Sequence, residues 1–304
     1  MQPRKPLLIV ITGATASGKT ALAIQLALRL KCEIISADSR QIYRGIPIAT
    51  AAPSPEQLSL VRHHLIATLD LDSYYSAACF ESDALSLLPD IFSRSGGFAI
   101  VCGGSMLYTD ALTRGIDDMP TVSDEVRAKV AGLARQHGSD GLLALLEITD
   151  PDYFAEVDHA NLKRVIHALE ISMQAGVPYS SLRSGRRADR PFDIVRFAID
   201  RPRAELFDRI NSRVDAMIEA GLVDEARSVA HLRHLNSLNT VGFKEMFAYF
   251  DGLMDFDTAV ARIKKNTRVY AKKQLTWLQR DDSVTWLPSD ADADTILSLL
   301  HLNS

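Results

Sequence analysis

Residues 13–20 (GATASGKT) have the types and the spacing, GxxxxGK[ST], of a phosphate-binding loop, or P-loop. Glycines let backbone N–H groups curl around phosphate oxygens, and the dipole of a following helix adds positive potential. Lys19 adds a full charge, and the hydroxyl of Thr20 can ligate Mg²⁺. The motif therefore predicts a binding site for a nucleotide or another di- or triphosphate. Its residues are Gly13, Ala14, Thr15, Ala16, Ser17, Gly18, Lys19 and Thr20.

A carboxylate follows the next predicted strand. Residues 33–36 (EIIS) run into the segment SADSRQIYRG, which places Asp38 at the carboxyl end of that strand. In an open α/β sheet this edge binds ligands, and the P-loop lies there too. Asp38 can bind magnesium through water or accept a proton from an attacking nucleophile. An Asx turn or a helix cap would also use an aspartate here, and the residues alone leave these roles open.

A parallel sheet flanked by helices is needed to position these groups. Short apolar runs predict strands at residues 7–12, 33–36, 98–102 and 194–200. Helices are predicted between them, at residues 21–30 and 80–92. Because buried strands that alternate with helices indicate a parallel sheet, we expect an α/β fold of the P-loop NTPase type. The C-terminal part is predicted to be helical, at residues 204–220, 223–232, 243–250 and 258–279.

A change of pattern divides the chain into two parts. From Gly115 the segments become polar and helical, and they end in the basic, turn-rich stretch 181–191 (SLRSGRRADRP). We expect residues 117–191 to form a mainly helical insertion domain, and residues 1–116 with 192–304 to form the catalytic core. The four arginines of the basic stretch can meet an RNA backbone: Arg183, Arg186, Arg187 and Arg190.

The composition is that of an ordinary globular protein. Of the 304 residues, 47% are hydrophobic and 24% are charged, and the formal net charge of −4 argues against a uniformly basic nucleic-acid binder. No apolar stretch approaches the roughly 18–20 residues of a membrane span, and no signal peptide is predicted. We therefore expect a cytoplasmic protein. The distant positions of Cys32, Cys79 and Cys102 favour reduced core thiols over disulfides or a zinc site.

The P-loop does not say which bond breaks, because kinases, hydrolases and other transferases all use one. A standard nucleoside triphosphatase brings a Walker-B aspartate on a later strand to help hold magnesium. The predicted strand at residues 98–102 ends instead in Cys102-Gly103-Gly104, without a carboxylate. This ending weakens the ATPase interpretation.

Seven ordered blocks extend the pattern along the chain. They begin at Gly13 (GATASGKT), Ile34 (IISADSRQIYRGIPIATAAP), Gly103 (GGSMLYTDALTRG), Asn161 (NLKRVIHALEI), Leu206 (LFDRINSRVDAMIEAGLVDEA), Val241 (VGFKEMFAYFDG) and Asn266 (NTRVYAKKQLTWLQ). In these blocks the chain resembles the tRNA dimethylallyltransferases, also called tRNA isopentenyltransferases, over almost its whole length. The resemblance implies transfer of a dimethylallyl group from dimethylallyl diphosphate to N6 of the adenosine adjacent to the anticodon, position 37, in certain tRNAs.

The resemblance also implies roles for particular residues. In that family the P-loop grips the diphosphate leaving group with Mg²⁺, so no ATP need be hydrolysed and a Walker-B aspartate can be dispensed with. Asp38 corresponds to the general base. Arg209 and Arg213, four apart on one predicted helix face, can reach the diphosphate, although a solvated basic edge would give the same spacing. The implied tRNA contacts are Asp38, Ser39, Arg40, Gln41, Ser105, Arg127, Lys163, Arg164, Val165, Ile166 and His167.

The chain departs from the usual family pattern where Met106 replaces a glycine, Ala160 a proline, Leu162 an aspartate and His167 an arginine, while Ser105 keeps a hydroxyl. The departures concern the RNA contacts more than the chemistry.

The C-terminal helical region carries a basic face. Residues 258–280 include seven basic residues and no acidic one. Lys265, Arg268 and Lys272 follow i, i+3, i+7 spacing, as a surface that tracks phosphates requires, and we expect Lys272 and Lys273 to contact tRNA. An ordinary solvated helix face is the alternative. Tyr270 and Trp277 share one face and are expected to pack in the core.

Three other functions stay open. A P-loop kinase would form ADP without a prenyl donor. An adenylate isopentenyltransferase would accept free AMP, ADP or ATP, and the basic helix favours tRNA over these. An RNA-binding protein with a degenerate P-loop is disfavoured by the presence of Gly18, Lys19 and Thr20. The preferred interpretation is a monomeric enzyme that acts on the anticodon stem-loop of tRNA.

Overall fold

The computed structural model describes residues 5–117, 119–185 and 187–302, so Arg186 of the basic stretch lies outside the described residues. The chain forms two compact units. The core unit comprises Met1–Arg114 and Asp189–Ser304, and the insertion unit comprises Gly115–Ala188.

The helices and strands follow in chain order. The strands are β1 Leu7–Gly13, β2 Ile34–Ser36, β3 His63–His64, β4 Phe98–Cys102, β5 Asp193–Ile199 and β6 Val284–Leu287. The helices are α1 Lys19–Leu30, α2 Pro55–Leu60, α3 Ala77–Arg94, α4 Met106–Arg114, α5 Asp124–Thr149, α6 Pro151–Glu156, α7 Leu162–Ala175, α8 Tyr179–Leu182, α9 Arg203–Glu219, α10 Leu222–Val229, α11 Phe243–Phe250, α12 Phe256–Leu278 and α13 Ala293–Leu299.

All six strands belong to one parallel sheet in the order β3-β2-β4-β1-β5-β6. The middle strand β1 is buried from Leu8 to Gly13, as expected for a strand covered on both faces. Alternate residues of β1 face two different cores. Ile9 and Ile11 pack with α1 and α13, whereas Leu8 and Val10 pack with α3 and α4. The predicted α/β fold, a parallel sheet flanked by helices, is confirmed.

Several short elements were not predicted. The strands β3 and β6 form the two edges of the sheet, and their two and four residues carry no run of apolar residues long enough to be recognised. The helices α2, α4 and α13 are likewise absent from the predicted set. A Ser54 capping box and a proline at its first turn start α2, and such local signals identify a helix start without indicating its length.

The C-terminal helices α9 to α12 enclose a core of their own with the loop that follows β2. Ile42 and Ile46 of that loop pack against Val214, Leu222 and Ile263. The carboxylate of Glu225 on α10 accepts hydrogen bonds from the amides of Ile48 and Ala49, each at 2.8 Å. The loop after β2 is therefore held by the helices that come some 170 residues later in the chain, as the separations of 177 and 176 residues show.

A buried ion cluster fixes the end of α12 against β5 and α4. Arg196, which is 5% exposed, pairs with Asp110 on α4 at 3.0 Å and with Asp281 just beyond α12. The indole of Trp277 donates to the second oxygen of Asp110 at 2.8 Å. Removing one partner would leave a buried charge uncompensated, so the cluster holds α12 in one position.

The insertion unit is helical, as predicted. Its core packs Val130 and Leu146 of α5 against Val165 and Leu169 of α7. Gly138 interrupts α5 with a φ of 66°, where a left-handed backbone favours glycine. The side chain of Asn161 caps the start of α7, and Gly176 ends the helix in the left-handed conformation.

Candidate active site

The P-loop connects β1 to α1 through two glycines in the left-handed region. Gly13 and Gly18 have φ angles of 147° and 107°, which favour glycine strongly. The amide of Ser17 donates to the carbonyl of Ala14 at 3.1 Å and closes the loop. Because α1 begins at Lys19, the N–H groups of its first turn, which have no intrahelical acceptor, lie at the loop. This is the arrangement that binds anions.

Two polar side chains of the loop have the character of an anion site. The ammonium of Lys19 donates to the carbonyl of Ala14 at 3.3 Å, and burial lowers its pKa despite the nearby Cys102 and Asp38. Ser17 is 1% exposed, and in residues 5–117, 119–185 and 187–302 its hydroxyl finds no hydrogen-bond partner. A phosphate oxygen would accept from both groups.

A cavity of about 430 Å³ lies elsewhere on the core unit, but two other cavities open at the P-loop edge of the sheet. The P-loop cavity has a volume of about 550 Å³. It is lined by Ala16, Gly18, Lys19, Thr20, Ala21, Ala51, Pro53, Gln57, Glu205, Asp208, Arg209, Ser212 and Arg213. Its cations come from the loop, through Lys19, and from α9, through Arg209 and Arg213.

The arginines of α9 contact the P-loop directly. Arg209 donates from Nε to the carbonyl of Ala16 at 2.9 Å, while Arg213 donates from Nη2 to the hydroxyl of Thr15. Arg209 is exposed, but Arg213 is enclosed, and burial lowers the pKa of its guanidinium although Asp38 opposes the effect. No described carboxylate forms a salt bridge with Arg213, so its charge is available to an anionic ligand.

The second cavity, the Asp38 cavity, has a volume of about 320 Å³. It is lined by Thr15, Asp38, Ser39, Arg40, Ala49, Thr50, Arg213, Val214, Met217, Leu222, Asn239, Thr240, Val241, Gly242, Lys244, Ile263, Thr267 and Tyr270. Arg213 lines both cavities, so the two adjoin at this residue.

Asp38 uses one oxygen to shape its own loop. Its Oδ1 accepts the amides of Arg40 at 2.9 Å and Gln41 at 3.3 Å, which is the Asx turn left open by the sequence. No group in the described part of the chain donates to Oδ2. The carboxylate can therefore hold the turn with one oxygen and accept a proton with the other.

Gln274 on α12 links two of the sequence motifs. Its Oε1 accepts the amide of Thr15 at 2.8 Å, and its Nε2 donates to the carbonyl of Gly104 at 2.9 Å. Gln274 is 2% exposed, so this amide acts entirely inside the protein. Sequence reasoning missed it, because a single glutamine in a helical pattern carries no signal of what it faces.

The other residues expected near the target nucleotide lie around Asp38. The hydroxyl of Ser105 accepts the amide of Ser39 at 2.8 Å, which joins the segment after β4 to the segment after β2. Arg40 donates from Nη1 to the carbonyl of Asn236 at 2.8 Å. The side-chain Nε2 of Gln41 donates to the carbonyls of Thr50 and Ala51, and these bonds fix the loop after β2.

Tyr270 was expected in the core, and that prediction was wrong. The side chain is 41% exposed and lines the Asp38 cavity, where desolvation and the nearby Asp38 raise its pKa to about 12. Trp277 lies on the same face of α12, seven residues further along, and is only partly buried. Helical periodicity showed that these rings share a face but not that an open cavity lies opposite one of them.

The metal-binding capacity of the site is small. Among the described residues, no three His, Cys, Asp or Glu side chains cluster closely enough to hold an ion. At the end of β4, where a Walker-B carboxylate would stand, burial raises the pKa of Cys102 to about 11, so the thiol stays neutral. The hydroxyl of Thr20 at the P-loop cavity fits a magnesium ion held mainly by phosphate oxygens and water.

The basic face of α12 is exposed as expected. Lys265, Lys272 and Lys273 are exposed, while Arg268 is partly buried and donates to the side chain of Asn211 at 2.6 Å. The ammonium of Lys272 lies 5.7 Å from the centre of the Phe207 ring.

In the insertion unit, most of the expected RNA contacts lie on the surface. Arg127, Lys163, Arg164 and His167 are exposed, and Ile166 is partly buried. Val165 is 0% exposed and packs in the core of the unit, so its side chain is removed from the candidate RNA contacts. Residues 163–167 lie on α7, and a helix turns successive side chains toward the surface and the core by turns.

Two arginines of the basic stretch form ion pairs with acidic residues of the protein. Arg183 pairs with Glu156 at 2.6 Å within the insertion unit. Arg190 pairs with Glu81 and donates to the carbonyl of Leu112 at 2.9 Å within the core unit. Arg190 therefore has a structural role rather than the expected RNA contact, and Arg187 is left exposed.

None of the helices in the described part of the chain is both long and apolar enough to span a membrane.

Comparison with known proteins places these features in one family. The model of the IPP transferase family matches residues 41–281. Among curated proteins, the tRNA dimethylallyltransferase 2 of Porphyromonas gingivalis is 49% identical over 300 residues, covering 99% of this chain and 100% of that protein. The tRNA dimethylallyltransferase 1 of Bacteroides thetaiotaomicron is 47% identical over 299 residues, covering 98% of this chain and 96% of that protein.

Solved structures share the fold. The tRNA isopentenylpyrophosphate transferase of Bacillus halodurans is 36% identical with a TM-score of 0.69, covering 98% of this chain and 95% of its own. A eukaryotic dimethylallyltransferase acting on tRNA is 26% identical with a TM-score of 0.80, covering 93% of this chain and 74% of its own.

Proposed function

The chain belongs to the IPP transferase family, and from this premise we propose that it transfers a dimethylallyl group from dimethylallyl diphosphate to N6 of adenosine 37, beside the anticodon of tRNA. It is a transferase that modifies tRNA, as its full-length relatives are named. We place it in the cytoplasm, acting as a monomer on the anticodon stem-loop.

One observation supports the proposal above all others: the phosphate-binding cavity and the cavity of the carboxylate meet at Arg213. Prenyl transfer needs an anion site for the leaving group and a proton acceptor for the nucleophile within reach of the same carbon. A kinase needs a phosphate site joined to a hydroxyl-activating base and usually a metal-binding carboxylate. The neutral Cys102 at the end of β4 does not supply that carboxylate.

Asp38 acts as the general base in this mechanism. The exocyclic amine of adenine is a poor nucleophile because its lone pair is delocalised into the ring, so its proton must leave as the new C–N bond forms. Oδ2 accepts that proton while Oδ1 keeps the amides of Arg40 and Gln41. The loop geometry therefore does not change when the carboxylate is protonated.

The P-loop and α9 stabilise the leaving group. As the bond between C1 and the bridging oxygen breaks, negative charge develops on the diphosphate. Backbone amides of the loop, the ammonium of Lys19 and the guanidinium of Arg213 lie around this charge in a partly water-excluded cavity. Their stabilisation is greater in the transition state than in the ground state, which is the condition for faster turnover.

Thr20 is the protein ligand that we assign to Mg²⁺. Its hydroxyl would hold the ion, which would supply positive charge against the diphosphate.

The target nucleotide approaches through the polar side of the Asp38 cavity, which Asn239, Lys244 and Tyr270 border. An adenine inside an anticodon loop must be turned out of its stack to reach the carboxylate of Asp38 in this cavity. We assign two surfaces to the RNA backbone. One is formed by Lys272 and Lys273 on α12, and the other lies on the insertion unit and comprises Arg127, Lys163, Arg164, Ile166 and His167.

The direct test is a product analysis. The protein is incubated with dimethylallyl diphosphate and Mg²⁺, together with either unmodified tRNA or AMP, and the adenosines are identified by mass spectrometry. We expect N6-dimethylallyladenosine at position 37 of tRNA and none on AMP. Modification of AMP alone would identify an adenylate isopentenyltransferase, and ADP formed from ATP without a prenyl donor would identify a kinase.

A further inference from the structure

One face of α9 passes from the P-loop cavity into the Asp38 cavity. Arg209, Arg213 and Met217 are each four residues apart and therefore lie on successive turns of the same face. Arg209 lines only the P-loop cavity, Arg213 lines both, and Met217 lines only the Asp38 cavity. The helix thus presents two cations and then a thioether in order along one line.

The Asp38 cavity changes character in the same direction. Val214, Leu222 and Ile263 are at most 2% exposed and belong to the core cluster of the C-terminal helices. Met217, Ala49 and Val241 pack against that cluster, so the apolar lining of the cavity is contiguous. Asp38, Arg40 and Lys244 provide a polar lining from the loops.

Dimethylallyl diphosphate has its parts in the same order, with the charged diphosphate followed by the apolar chain. Its diphosphate belongs beside Lys19 and Arg213, its reactive C1 beside Asp38, and its hydrocarbon tail must then lie on an apolar surface that the adenine does not occupy. One helix turn advances about 5.4 Å, which matches the reach of a five-carbon chain from the phosphate oxygen that it leaves. Met217 lies one turn beyond Arg213 and lines the Asp38 cavity, so it is the residue of this face that can meet the end of that chain.

We propose that Met217 closes the hydrocarbon subsite and makes the enzyme selective for a five-carbon donor over longer prenyl diphosphates; this rests on the proposed function. A ten-carbon donor would place its second isoprene unit on the methionine side chain. The reaction itself is unchanged by chain length: the C1–oxygen bond breaks, the N6–C1 bond forms, diphosphate leaves, and the N6 proton passes to Asp38.

The experiment compares donors in one variant. Dimethylallyl diphosphate and geranyl diphosphate are offered separately with tRNA and Mg²⁺ to the full chain and to Met217→Ala. We expect the ratio of kcat/KM for geranyl over dimethylallyl to rise at least about tenfold in the variant, because removing the side chain opens space at the end of the tail. An unchanged ratio in a variant that still transfers dimethylallyl would overturn the proposal.

Met246 offers a matched control. It is 0% exposed and belongs to the same core cluster, but it does not line the cavity. Met246→Ala removes the same side chain from a fully buried position, so we expect a fall in melting temperature at least as large, with no change in donor ratio. Should Met217→Ala fail to fold, Met217→Val provides a smaller truncation with the same expected direction.

Two further measurements separate this subsite from the rest of the site. Inorganic diphosphate has no tail, so its Kd should be the same for Met217→Ala and the unsubstituted protein, and a large change would place Met217 in the phosphate site instead. If the unsubstituted protein transfers no dimethylallyl group, the proposed function fails. If it does transfer the group, but Met217→Ala shows no gain in relative kcat/KM with geranyl diphosphate, only the proposed role of Met217 in chain-length selection fails.

Discussion

Gln274 accepts the amide hydrogen of Thr15 at 2.8 Å across a separation of 259 residues. The same side chain donates to Gly104, so the C-terminal basic helix is bonded to both the P-loop and the segment after β4. The position of the phosphate-binding loop thus depends on a helix that also carries candidate RNA contacts.

Gln274→Ala should raise the KM for dimethylallyl diphosphate and lower stability. The substitution leaves the buried carbonyl of Gly104 without its partner, which costs about 1–3 kcal/mol, and it also removes the acceptor of the partly buried Thr15 amide. Donor KM and thermal unfolding are the measurements. Gln279→Ala, at the exposed end of the same helix, is the control and should change neither.

Gly104→Ala tests the same bond from the other side. A Cβ at Gly104 would lie 2.4 Å from Nε2 of Gln274, so the amide must move away. We expect a similar rise in donor KM, and a double variant that is no worse than either single one, since both remove one interaction. Additive effects would show that the two residues act separately.

Asp38→Asn separates the two roles of this carboxylate. Asparagine keeps an oxygen that can accept the amides of Arg40 and Gln41, but it cannot act as a base. We expect turnover to fall about 10²–10⁴-fold while the Kd for dimethylallyl diphosphate stays nearly unchanged. Normal turnover in this variant would reduce Asp38 to a turn-forming residue. Asp38→Ala should lose both turnover and loop order.

Lys272→Glu combined with Lys273→Glu should raise the KM for tRNA about tenfold and leave the donor KM nearly unchanged, because phosphate contacts dominate RNA affinity. The effect should shrink as salt is raised. The control is Lys31→Glu combined with Arg62→Glu. It changes the net charge by the same amount as the first pair, but at the amino ends of β2 and β3, away from the P-loop edge of the sheet. Equal losses for both substrates would indicate a folding defect.

Glu33 should contribute to the acid sensitivity of the fold. Partial burial opposes ionisation, but hydrogen bonds from Arg94 at 2.9 Å and His64 at 2.5 Å outweigh it, and the pKa of Glu33 is lowered from 4.5. Because the folded state has the lower pKa, this stabilisation is present above pH 4.5 and is lost as pH falls through the folded-state value.

Glu33→Gln should therefore destabilise the protein at pH 7 by about 1–3 kcal/mol and make the unfolding free energy less dependent on pH in the acid range. Chemical unfolding between pH 3 and 7 is the measurement. Asp72→Asn, an exposed carboxylate on the same unit, should leave the pH dependence as it was. A parallel shift of the whole curve for Glu33→Gln would mean that its charge does not matter.

Much of the fold was predictable because its main signals are local. The central strands are mainly apolar runs, and the long helices have clear periodicity, so β1, β4, β5, α9 and α12 were found near their observed bounds. The edge strand β6 was not, since Val284–Leu287 becomes a strand through its pairing with β5. Tyr270 was misplaced because periodicity does not show whether packed atoms or a cavity face a helix.

The sequence by itself determined the phosphate loop, the carboxylate at the end of β2 and the family, because each is carried by short blocks of consecutive residues. Only the tertiary structure decided that Oδ1 of Asp38 is used in a turn, that Gln274 holds Thr15, and that one face of α9 leads from the phosphates to Met217. Spacing tells which side chains share a face. What that face meets depends on how elements remote in sequence pack together.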